Sequence, residues 1–529
     1  MLKKASRYFH TLRYLKWDQI RYQLWYRLRD RFFPGEYPLL ENNELSFQKV
    51  KMDRFPSKGS QYFSDTNTFQ FLNIDHVFND EIDWNLDEYG KLWTYHLNYF
   101  DFLMQDQLSK EDGVGLINNF LKGIESKKDG LEPYPISLRI INWVKFFSRY
   151  QHFDHKQLSH LKAHTSMLLN KLEYHLLANH LLENAFALVF GAVVFPDDIK
   201  LNSIAAELMK RELEEQILDD GAHFELSPMY HCILLERALD AYNLLKNNEH
   251  RLEGIEEILY KKIQLMLNWL VSVKFQNGEI PYVNDSVKGQ ALEPNKIIEY
   301  AKLLGFEGMI IDLSSSRYRK KEFDGFELFM DLGNIQPEYQ PGHAHADALS
   351  FVLHYKGKPI IVDRGISTYE KNEERQCQRS TSSHNTITIN KDNQSDVWGG
   401  FRVGKRSETF IESESTNEYV AQNNGYKKYG VIHSRSWQFS KDKLVLLDLT
   451  GSGSDSVSAV SHLHFHPDVK IEKIKQGFIL NDELHLKIRQ SEEFVQSIDY
   501  KYCEGFNKQV VAKKIKVRFV KELQMEFKA

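Results

Sequence analysis

A short segment of the chain carries three titratable side chains at alternate positions. Residues 342–351 read GHAHADALSF, in which small residues separate His343, His345 and Asp347 and an apolar run follows them. Because histidine and aspartate serve both as metal ligands and as acid–base groups, the segment is either one half of such a site or a polar loop that caps a buried strand. The spacing within the segment leaves both interpretations open.

Two residues further along the chain could complete a metal site with His345. Asp363 ends the apolar segment IIVD, and His384 stands at the start of the strand-like segment HNTITI. The three residues are 18 and 21 positions apart, so we expect them on adjacent strands or strand ends. Two histidines and one carboxylate leave one coordination position open and suit Zn²⁺. Spacing alone does not decide whether a metal binds.

A second group of histidines lies in the segment HLHFHPD. His462, His464 and His466 alternate along the chain, so a strand would place them on one face. Taken by itself, this group resembles a metal site more closely than His345, Asp363 and His384 do. We nevertheless expect it to have a structural or packing role.

The segment LANHLLENAFAL concentrates polar side chains at the start of an apolar helix. Asn179, His180, Glu183 and Asn184 fall at positions i, i+1, i+4 and i+5, so they share one side of the helix. The group is either a polar helix end that faces solvent or part of a site.

The segment DDGAHFELSPMYH has the signature of a turn that leads into a helix. Ser227 is suited to the N-cap position and Pro228 to the first helical position, which puts Tyr230 and His231 in the first turn. The positive end of the helix dipole could favour a tyrosinate at Tyr230. The alternative is that Tyr230 only packs, as most first-turn tyrosines do.

The segments that begin at Leu177 and Asp219 both lie within a longer helical region, from Leu92 to about Gly305. Its residues follow a helical period that is broken by Gly, Pro and Asp, and successive helices with short connections predict stacked antiparallel hairpins. The clearest helical runs are 137–150, 155–177, 180–194 and 256–275.

The period changes after about Phe323. Short segments rich in β-branched and aromatic residues, separated by turns, predict an antiparallel β-sandwich of about 200 residues. The sequence therefore predicts a lead-in at 1–90 with a loop-like middle at 41–68, a helical domain at 91–320 and a β domain at 321–529. The histidine segment lies near the start of the β domain.

The lead-in contains a basic and aromatic stretch. Helical spacing puts much of its apolar set on one side, so it is either a helix packed on its own domain or one that lies on an anionic membrane surface. The apolar set is Tyr14, Leu15, Trp17, Ile20, Leu24, Trp25 and Leu28, and the basic set is Arg13, Lys16, Arg21, Arg27 and Arg29.

Composition excludes several classes of protein. A chain of 529 residues is too long for one core, so two large domains are expected. The three cysteines are far apart, which excludes a disulfide scaffold and a cysteine-rich zinc site. A net charge of −5 argues against a nucleic-acid partner. The chain shows no signal-peptide pattern, and its longest apolar run, 185–195, is shorter than the ~20 residues of a membrane span. We therefore expect a cytoplasmic protein.

Eight segments in order along the chain resemble the heparinase II/III family of polysaccharide lyases, including its alginate-lyase relatives. They are IDWN (82–85), LWTYHLNYFDFL (92–103), YPISLRIINW (134–143), NHLLEN (179–184), GAHFELSPMYH (221–231), GHAHADALSF (342–351), VDRGISTY (362–369) and SSHNT (382–386). The resemblance implies an incomplete (α/α) toroid of helical hairpins followed by an antiparallel β-sandwich. This architecture agrees with the change of period.

The resemblance also implies β-elimination on a glycan that contains uronic acid. A proton leaves C5 beside the carboxylate and the glycosidic oxygen departs from C4, so the carboxylate must be neutralised, a base must reach C5 and an acid must reach O4. By resemblance, Asn179 and His343 hold the carboxylate, and His180 and Tyr230 are base and acid. Tyr369 matches a further active-site position.

The remaining site residues are likewise implied by the resemblance. Substrate-binding positions fall on Glu183, Arg139, His96 and Asn98. A structural Zn²⁺ that organises the β domain falls on His345, Asp363 and His384, which leaves Asp347 as a structural residue. The expected partner is an acidic uronate polysaccharide, and the resemblance extends to members that look like parts of surface-polysaccharide assembly systems.

Two other functions stay open. A glycoside hydrolase on a similar toroid needs two carboxylates flanking the bond at ~5–10 Å, and Glu183 is the one obvious acid. A non-catalytic glycan-binding or assembly protein could keep the fold, although the presence of the candidate acid, base and carboxylate-binding residues argues against it.

Overall fold

The computed structural model describes residues 2–32, 37–39, 45–451 and 457–529. The first part of the predicted loop-like stretch, 41–44, lies outside the described residues. The described part of the lead-in begins with two helices, α1 and α2, and continues with a small antiparallel sheet in the order β1-β2-β3. Their bounds are α1 Leu2–Leu12, α2 Trp17–Phe32, β1 Tyr62–Phe63, β2 Thr68–Phe71 and β3 Ile74–Val77.

The helix predicted over the basic stretch from Arg13 to Arg29 starts four residues later, at Trp17, and runs to Phe32 as α2. Residues 13–16 form a turn, and the backbone N–H of Lys16 donates to Oε1 of Gln19 at the start of α2. This bond satisfies a backbone group that a continuous helix would have paired internally. Of the predicted apolar set, the residues from Trp17 onward lie on α2, and Tyr14 and Leu15 precede this helix.

The helical domain consists of hairpins packed around one very apolar helix. The helices are α3 Lys91–Tyr99, α4 Lys110–Leu121, α5 Pro133–Tyr150, α6 His155–Asn170, α7 Ala178–Val194, α8 Ile199–Gln216, α9 Pro228–Lys246, α10 Ile255–Val273 and α11 Pro294–Leu303. Helix α7 packs against α5, α8 and α9. Every residue of α7 is buried except His180. A helix that is apolar on all sides belongs in a core, so its one uncovered polar residue marks an opening.

The run predicted as one helix over 155–177 ends early. Helix α6 stops at Asn170, and the chain turns sharply because Leu177 and Ala178 adopt positive φ angles of 63° and 53°. Such angles are strained for residues with a side chain and cluster at functional sites. The turn therefore stands directly before Asn179 and His180 at the start of α7.

The β domain is built from antiparallel strands. Its bounds are β4 Tyr318–Phe323, β5 Phe326–Asp331, β6 Phe351–Tyr355, β7 Lys358–Ile361, α12 Glu373–Gln378, β8 Ile387–Ile389, β9 Val397–Trp398, β10 Arg402–Val403, β11 Thr409–Glu414, β12 Glu418–Asn423, β13 His433–Ser440, β14 Lys443–Leu449, β15 Ala459–His464, β16 Ile471–Ile474, β17 Gly477–Leu480, β18 Leu484–Ile488, β19 Val495–Gly505, β20 Lys508–Phe519 and β21 Glu522–Lys528. The first strand begins close to the predicted boundary at 320.

Three sheets enclose the core of this domain. Their orders are β11-β12-β13-β14-β21-β18-β17-β16, β19-β20-β15-β8 and β4-β5-β6-β7. Strand β6 is the buried strand predicted after the histidine segment, and the segment itself is irregular backbone. The segment therefore stands at the edge of the domain that faces the helices.

The two domains share buried side chains. Tyr339, Ile366 and Phe506 of the β domain belong to the apolar core of the helical domain. A smaller core joins Trp269 and Val273 of α10 to residues of β4, β5 and β6. In the described part of the chain, no helix is both long and apolar enough to cross a lipid bilayer.

Candidate active site

Two tyrosines and a histidine from different domains meet at the junction. Ser227 caps α9, and its hydroxyl accepts a hydrogen bond from the backbone N–H of Tyr230 at 3.4 Å, which fixes Tyr230 in the first turn as predicted. The hydroxyl of Tyr230 lies 3.3 Å from that of Tyr369. The ring of Tyr230 lies 4.1 Å, between centroids, from the ring of His343. Residues 139 positions apart thus share one hydrogen bond.

Asn179 is held by a carboxylate that the sequence did not single out. Its side-chain amide donates to Oε1 and Oε2 of Glu225 at 2.8 and 3.1 Å, and its backbone N–H donates to Oε1 at 2.9 Å. The same carboxylate lies 3.4 Å from Nε2 of His343. Glu225 therefore brings Asn179 of α7 and His343 of the β domain to one place.

His180 is oriented by a second carboxylate. Its Nδ1 lies 3.0 Å from Oε1 of Glu173, and since a carboxylate accepts, Nδ1 donates. Burial lowers the pKa of His180, but the charge and hydrogen bond of Glu173 outweigh burial, so that the pKa is raised above its ordinary value. Nε2 is left to act toward the opening, beside the ring of Tyr134 at 4.7 Å between centroids.

Both tyrosines of the site are neutral phenols at physiological pH. Burial raises the pKa of Tyr230 well above 10, although the hydrogen bond from Tyr369 works in the other direction, and burial does the same to Tyr369. The tyrosinate that the helix dipole could favour is therefore not the resting form of Tyr230. Desolvation of the anion outweighs the first-turn position.

Three predicted substrate-binding residues lie in the core. Arg139 and Asn98 have no exposed surface, and Nη1 of Arg139 donates to the carbonyl of Asn98 at 3.0 Å. The carboxylate of Glu183 is also fully buried, 3.4 Å from Nε of Arg237, and burial raises its pKa to about 7. Their burial argues against the predicted direct contact with a glycan, because these side chains have no exposed surface.

His96 differs from these three residues because it lines open space. It borders a cleft of about 650 Å³, together with Lys58, Asp101 and Met229, the neighbour of Tyr230. Its ring stacks on Phe71, and burial lowers its pKa to about 4, so it is a neutral imidazole. Substrate contact by His96 stays a prediction.

The structure changes one member of the candidate metal group. The residues whose possible ligand atoms all lie within 4.8 Å of one another are His345, Asp347 and His384. Asp363 instead accepts a hydrogen bond from Nδ1 of His384 at 2.6 Å. Asp347 thus takes the place predicted for Asp363, and Asp363 orients the histidine.

The chemistry of this group fits a divalent cation. Nδ1 of His345 and Nε2 of His384 are buried and have no hydrogen-bond partner. Burial raises the pKa of Asp347 to about 6, and burial together with Asp347 raises that of Asp331. A divalent cation would neutralise the buried carboxylates, and it would be coordinated by the unpaired imidazole nitrogens.

The other histidine cluster lies largely inside the β domain, and its structural role stays a prediction. His462 and His464 are buried, with Nε2 of His462 next to the hydroxyl of Thr388 at 3.0 Å and Nδ1 of His464 next to Oδ1 of Asn385 at 3.1 Å. Each of these two rings therefore has a polar partner on a neighbouring strand or loop.

Asp285 is the third acidic residue that the sequence did not reveal. It lies in the segment YVND (282–285), and its fully buried carboxylate contacts both His343 and His345. Glu225 lies within the recognised segment 221–231, whereas Glu173 and Asp285 lie outside all eight segments. None of the three carboxylates was singled out as a site residue.

Two family models match this chain. The model described as "Heparinase II/III N-terminus" matches residues 135–306, and the model described as "Heparinase II/III-like, C-terminal" matches residues 311–529. The two matches meet near the change from helices to strands, and together they cover well over half of the chain.

Curated relatives and solved structures were also found. A protein named heparin-sulfate lyase from Bacteroides stercoris is 26% identical over 391 residues, which are 67% of this chain and 55% of that protein. A protein of the same name from Pedobacter heparinus is 24% identical over 273 residues, 47% of this chain and 40% of that protein. The chain thus matches about half the length of these relatives.

A crystal structure described as heparinase III superposes with a TM-score of 0.65 at 14% identity, covering 96% of this chain and 91% of that one. Similarity at this identity shows the fold. It confirms the predicted architecture, an incomplete (α/α) toroid followed by an antiparallel β-sandwich.

Proposed function

This chain belongs to the heparinase II/III family, and from that membership we propose that it is a polysaccharide lyase that cleaves a uronic-acid glycan by β-elimination. One observation carries the proposal: contacts at the junction of the two domains bring together Asn179, Tyr230, His343 and Tyr369, next to His180 on the same helix as Asn179. The relatives named heparin-sulfate lyase support a glycosaminoglycan as substrate.

The uronate carboxylate is bound by Asn179 and His343 in this proposal. Ionised, the carboxylate makes C5–H too weak an acid, and an amide N–H and an imidazole N–H stabilise the negative charge that builds up on it during proton removal. The buried carboxylate of Glu225 holds these two side chains next to each other, because it accepts from the amide of Asn179 and lies 3.4 Å from Nε2 of His343.

The proton transfers are divided between His180 and Tyr230. His180 donates through Nδ1 to Glu173, so Nε2 of the neutral ring carries the lone pair that removes the C5 proton. Tyr230 is protonated at rest and gives its proton to O4 as the glycosidic bond breaks, with Tyr369 hydrogen-bonded to the phenol. The C5 electron pair forms the C4–C5 double bond, and the oxygen leaves as a hydroxyl.

The test is a screen of the purified protein against uronate polysaccharides for unsaturated ends that absorb in the ultraviolet. Saturated products would favour a glycoside hydrolase, and glycan binding without cleavage would favour a non-catalytic protein. The carboxylates at the site, Glu173 and Glu225, are each engaged by a histidine or an asparagine, which argues against the paired free carboxylates of a hydrolase.

We further propose that the metal group binds Zn²⁺ through His345, Asp347 and His384, with Asp363 fixing the ring of His384. Bound there, zinc would act as a structural cross-link within the β domain. The free nitrogens of the two histidines support this assignment. The loop that carries His343 would then be tied to the segment before β8.

We also propose a peripheral contact with an anionic membrane surface through α2. This helix turns its apolar stripe outward: Trp17, Leu24, Leu28 and Phe32 are 73%, 56%, 55% and 64% exposed. Its opposite face holds the protein through polar contacts. Tyr26 donates to the carbonyl of Leu172 at 2.6 Å, and Gln19 donates to that of Leu176 at 3.3 Å.

The charge around this stripe selects the kind of surface. Residues 2–32 contain nine lysines and arginines against two aspartates, a net charge of +7 in a chain whose total is −5. Arg21, Arg27 and Arg31 flank the stripe and are exposed. Basic residues beside tryptophan and leucine suit the interface of an anionic bilayer, and exposed aliphatic side chains favour lipid over a polar glycan. An anionic cytoplasmic leaflet is the location that we propose.

A further inference from the structure

The buried carboxylate of Asp285 contacts both His343 of the candidate active site and His345 of the metal group. Oδ2 of Asp285 accepts from Nδ1 of His343 at 2.8 Å, and Oδ1 accepts from Nε2 of His345 at 2.8 Å. Arg375 donates to both oxygens, through Nη1 at 2.5 Å and Nη2 at 2.6 Å. The side chains of Asp285, His345 and Arg375 are fully buried.

These bonds fix which nitrogen of each ring faces Asp285. A carboxylate accepts, so His343 donates through Nδ1 and His345 through Nε2. The other nitrogens point in different directions: Nε2 of His343 lies 3.4 Å from Glu225 on the glycan side, and Nδ1 of His345 lies unpaired in the metal group. To act as the proposed donor to the uronate carboxylate, Nε2 of His343 must carry a proton as well. One residue therefore sets the orientation of both rings.

The backbone around Asp285 ties the same residue to the helix of Tyr230. The N–H of Asp285 donates to the carbonyl of His343 at 3.1 Å, and the carbonyl of Asp285 accepts from the hydroxyl of Ser227, the cap of α9, at 3.1 Å. The next residue, Ser286, accepts from the backbone N–H of Met229 at 3.2 Å. A displacement of Asp285 would thus move His343 and the start of α9 together.

We propose that Asp285 is a positioning residue that couples the metal group to the histidine that binds the uronate carboxylate. A cation on Nδ1 of His345 fixes that ring, the ring fixes Oδ1 of Asp285, and the rigid carboxylate holds Oδ2 and hence His343. This inference rests on the proposed function for the role of His343 and on the proposed zinc site for the cation. In this proposal, occupation of the structural metal site changes the affinity of the protein for its glycan.

The coupling can be measured without turnover. Imidazole nitrogen shifts in ¹⁵N-histidine-labelled protein report the tautomer and hydrogen bonding of His343 and His345, and they are recorded before and after metal removal and after readdition of zinc. A His343→Gln sample assigns its signals. We expect zinc to shift the signals of both rings in the wild-type protein.

The variant is Asp285→Asn, which keeps the shape but offers one acceptor oxygen in place of two. Zinc affinity should fall roughly 10- to 100-fold, as for loss of a residue that orients a metal ligand, and saturating zinc should no longer shift the signals of His343. Asp448→Asn is the matched control. Asp448 is equally buried and accepts from His433 at 2.8 Å and from Arg435 at 2.7 and 2.8 Å, on β13 and β14. This control should keep the zinc response of His343.

Glycan binding gives a second measurement. In a Tyr230→Phe background that binds without cleaving, zinc should tighten binding of a uronate oligosaccharide roughly tenfold, and Asp285→Asn should remove that difference. Unchanged His343 signals on zinc binding to the wild-type protein, or a full response in Asp285→Asn, would overturn the coupling. Absence of uronate binding with an intact nitrogen response would instead reject the proposed function and leave the coupling standing.

Discussion

The phenol of Tyr230 decides whether the proposed elimination is correct. Tyr230→Phe removes one hydroxyl, whose recorded bond is to Tyr369, and keeps the ring against His343. We expect turnover to fall at least ~100-fold, as for loss of one acid–base group, with substrate affinity and melting temperature nearly unchanged. The ultraviolet assay measures the rate.

Tyr242→Phe is the control for that variant, because Tyr242 lies on the same helix and away from the site. It should cleave at the wild-type rate. A Tyr230→Phe enzyme that still produces unsaturated ends at a near wild-type rate would move the proton transfer to Tyr369 or His180.

The carboxylate of Glu173 should set the acid limb of the pH profile. The base form of His180 is required, so kcat/KM rises with pH through the pKa of His180, which Glu173 raises. Glu173→Gln removes that charge while burial continues to lower the pKa. We therefore expect the acid limb to move to lower pH and the plateau to fall, because a less basic imidazole is a weaker base.

Initial rates between pH 4 and 9 measure this limb. Glu256→Gln, which removes the acidic neighbour of the distant His250, is the control and should leave the profile in place. An acid limb that stays fixed in Glu173→Gln would assign it to another group.

The metal group makes a prediction of its own. Elemental analysis should find about one zinc per chain, and His384→Ala should lose the metal and melt at a lower temperature, because metal binding to the folded state adds to its stability. His462→Ala changes a nearby buried histidine outside the group and should keep the zinc. Full retention of zinc by His384→Ala would reject the assignment.

The sequence revealed the residues that act and missed the residues that hold them. Asn179, Tyr230 and His343 stand in recognisable segments, and the structure brings them together. Glu225 reaches Asn179 across 46 positions and Asp285 reaches His343 across 58, and one carboxylate among many in a sequence has no pattern that points to so distant a partner. Position 347 was misjudged for the same reason, because the fold of the loop, rather than its spacing, decides which carboxylate reaches the two histidines.

At the scale of elements, α2 is the feature that periodicity predicts only in part. The apolar spacing indicated a stripe, but it could not tell whether the stripe faces the protein or the solvent. The answer depends on polar residues such as Gln19 and Tyr26, whose partners belong to the loop after α6. The end of α6 at Asn170 was missed, because the turn before α7, with positive φ angles at Leu177 and Ala178, has no signature in the sequence.

The membrane proposal is tested by co-sedimentation with vesicles. Anionic vesicles should bind the protein and neutral ones should not, and salt should weaken binding, since each basic residue near the surface contributes roughly 1 kcal/mol that ions screen. The double variant Trp17→Ser, Leu24→Ser should lose most of the binding while keeping catalytic activity.

A double variant of exposed isoleucines elsewhere, Ile199→Ser and Ile310→Ser, is the control and should bind like the wild type. Equal binding to neutral and anionic vesicles, or none to either, would contradict the proposal.

The whole molecule should unfold as one unit. The change of period along the sequence predicted helices followed by antiparallel strands, as the structure has them, but it could not show that the two parts share buried side chains such as Tyr339, Ile366 and Phe506. A large apolar interface couples the stability of two domains. We expect the far-ultraviolet signal of the helices and the tryptophan fluorescence to change at the same denaturant concentration, and two separated transitions would contradict this expectation.

The contact of α1 with the β domain has a consequence for synthesis of the protein. Arg7 donates to Asp396 at 2.7 Å, across 389 positions, and Thr11 donates to the carbonyl of Val403. At ~5–20 residues per second, a ribosome needs on the order of 20 to 80 s to make the second partner after the first. For that time the basic, aromatic start of the chain is outside the ribosome with its final docking surface not yet made. An encounter with an anionic surface during this interval would attach the nascent chain before its catalytic site exists.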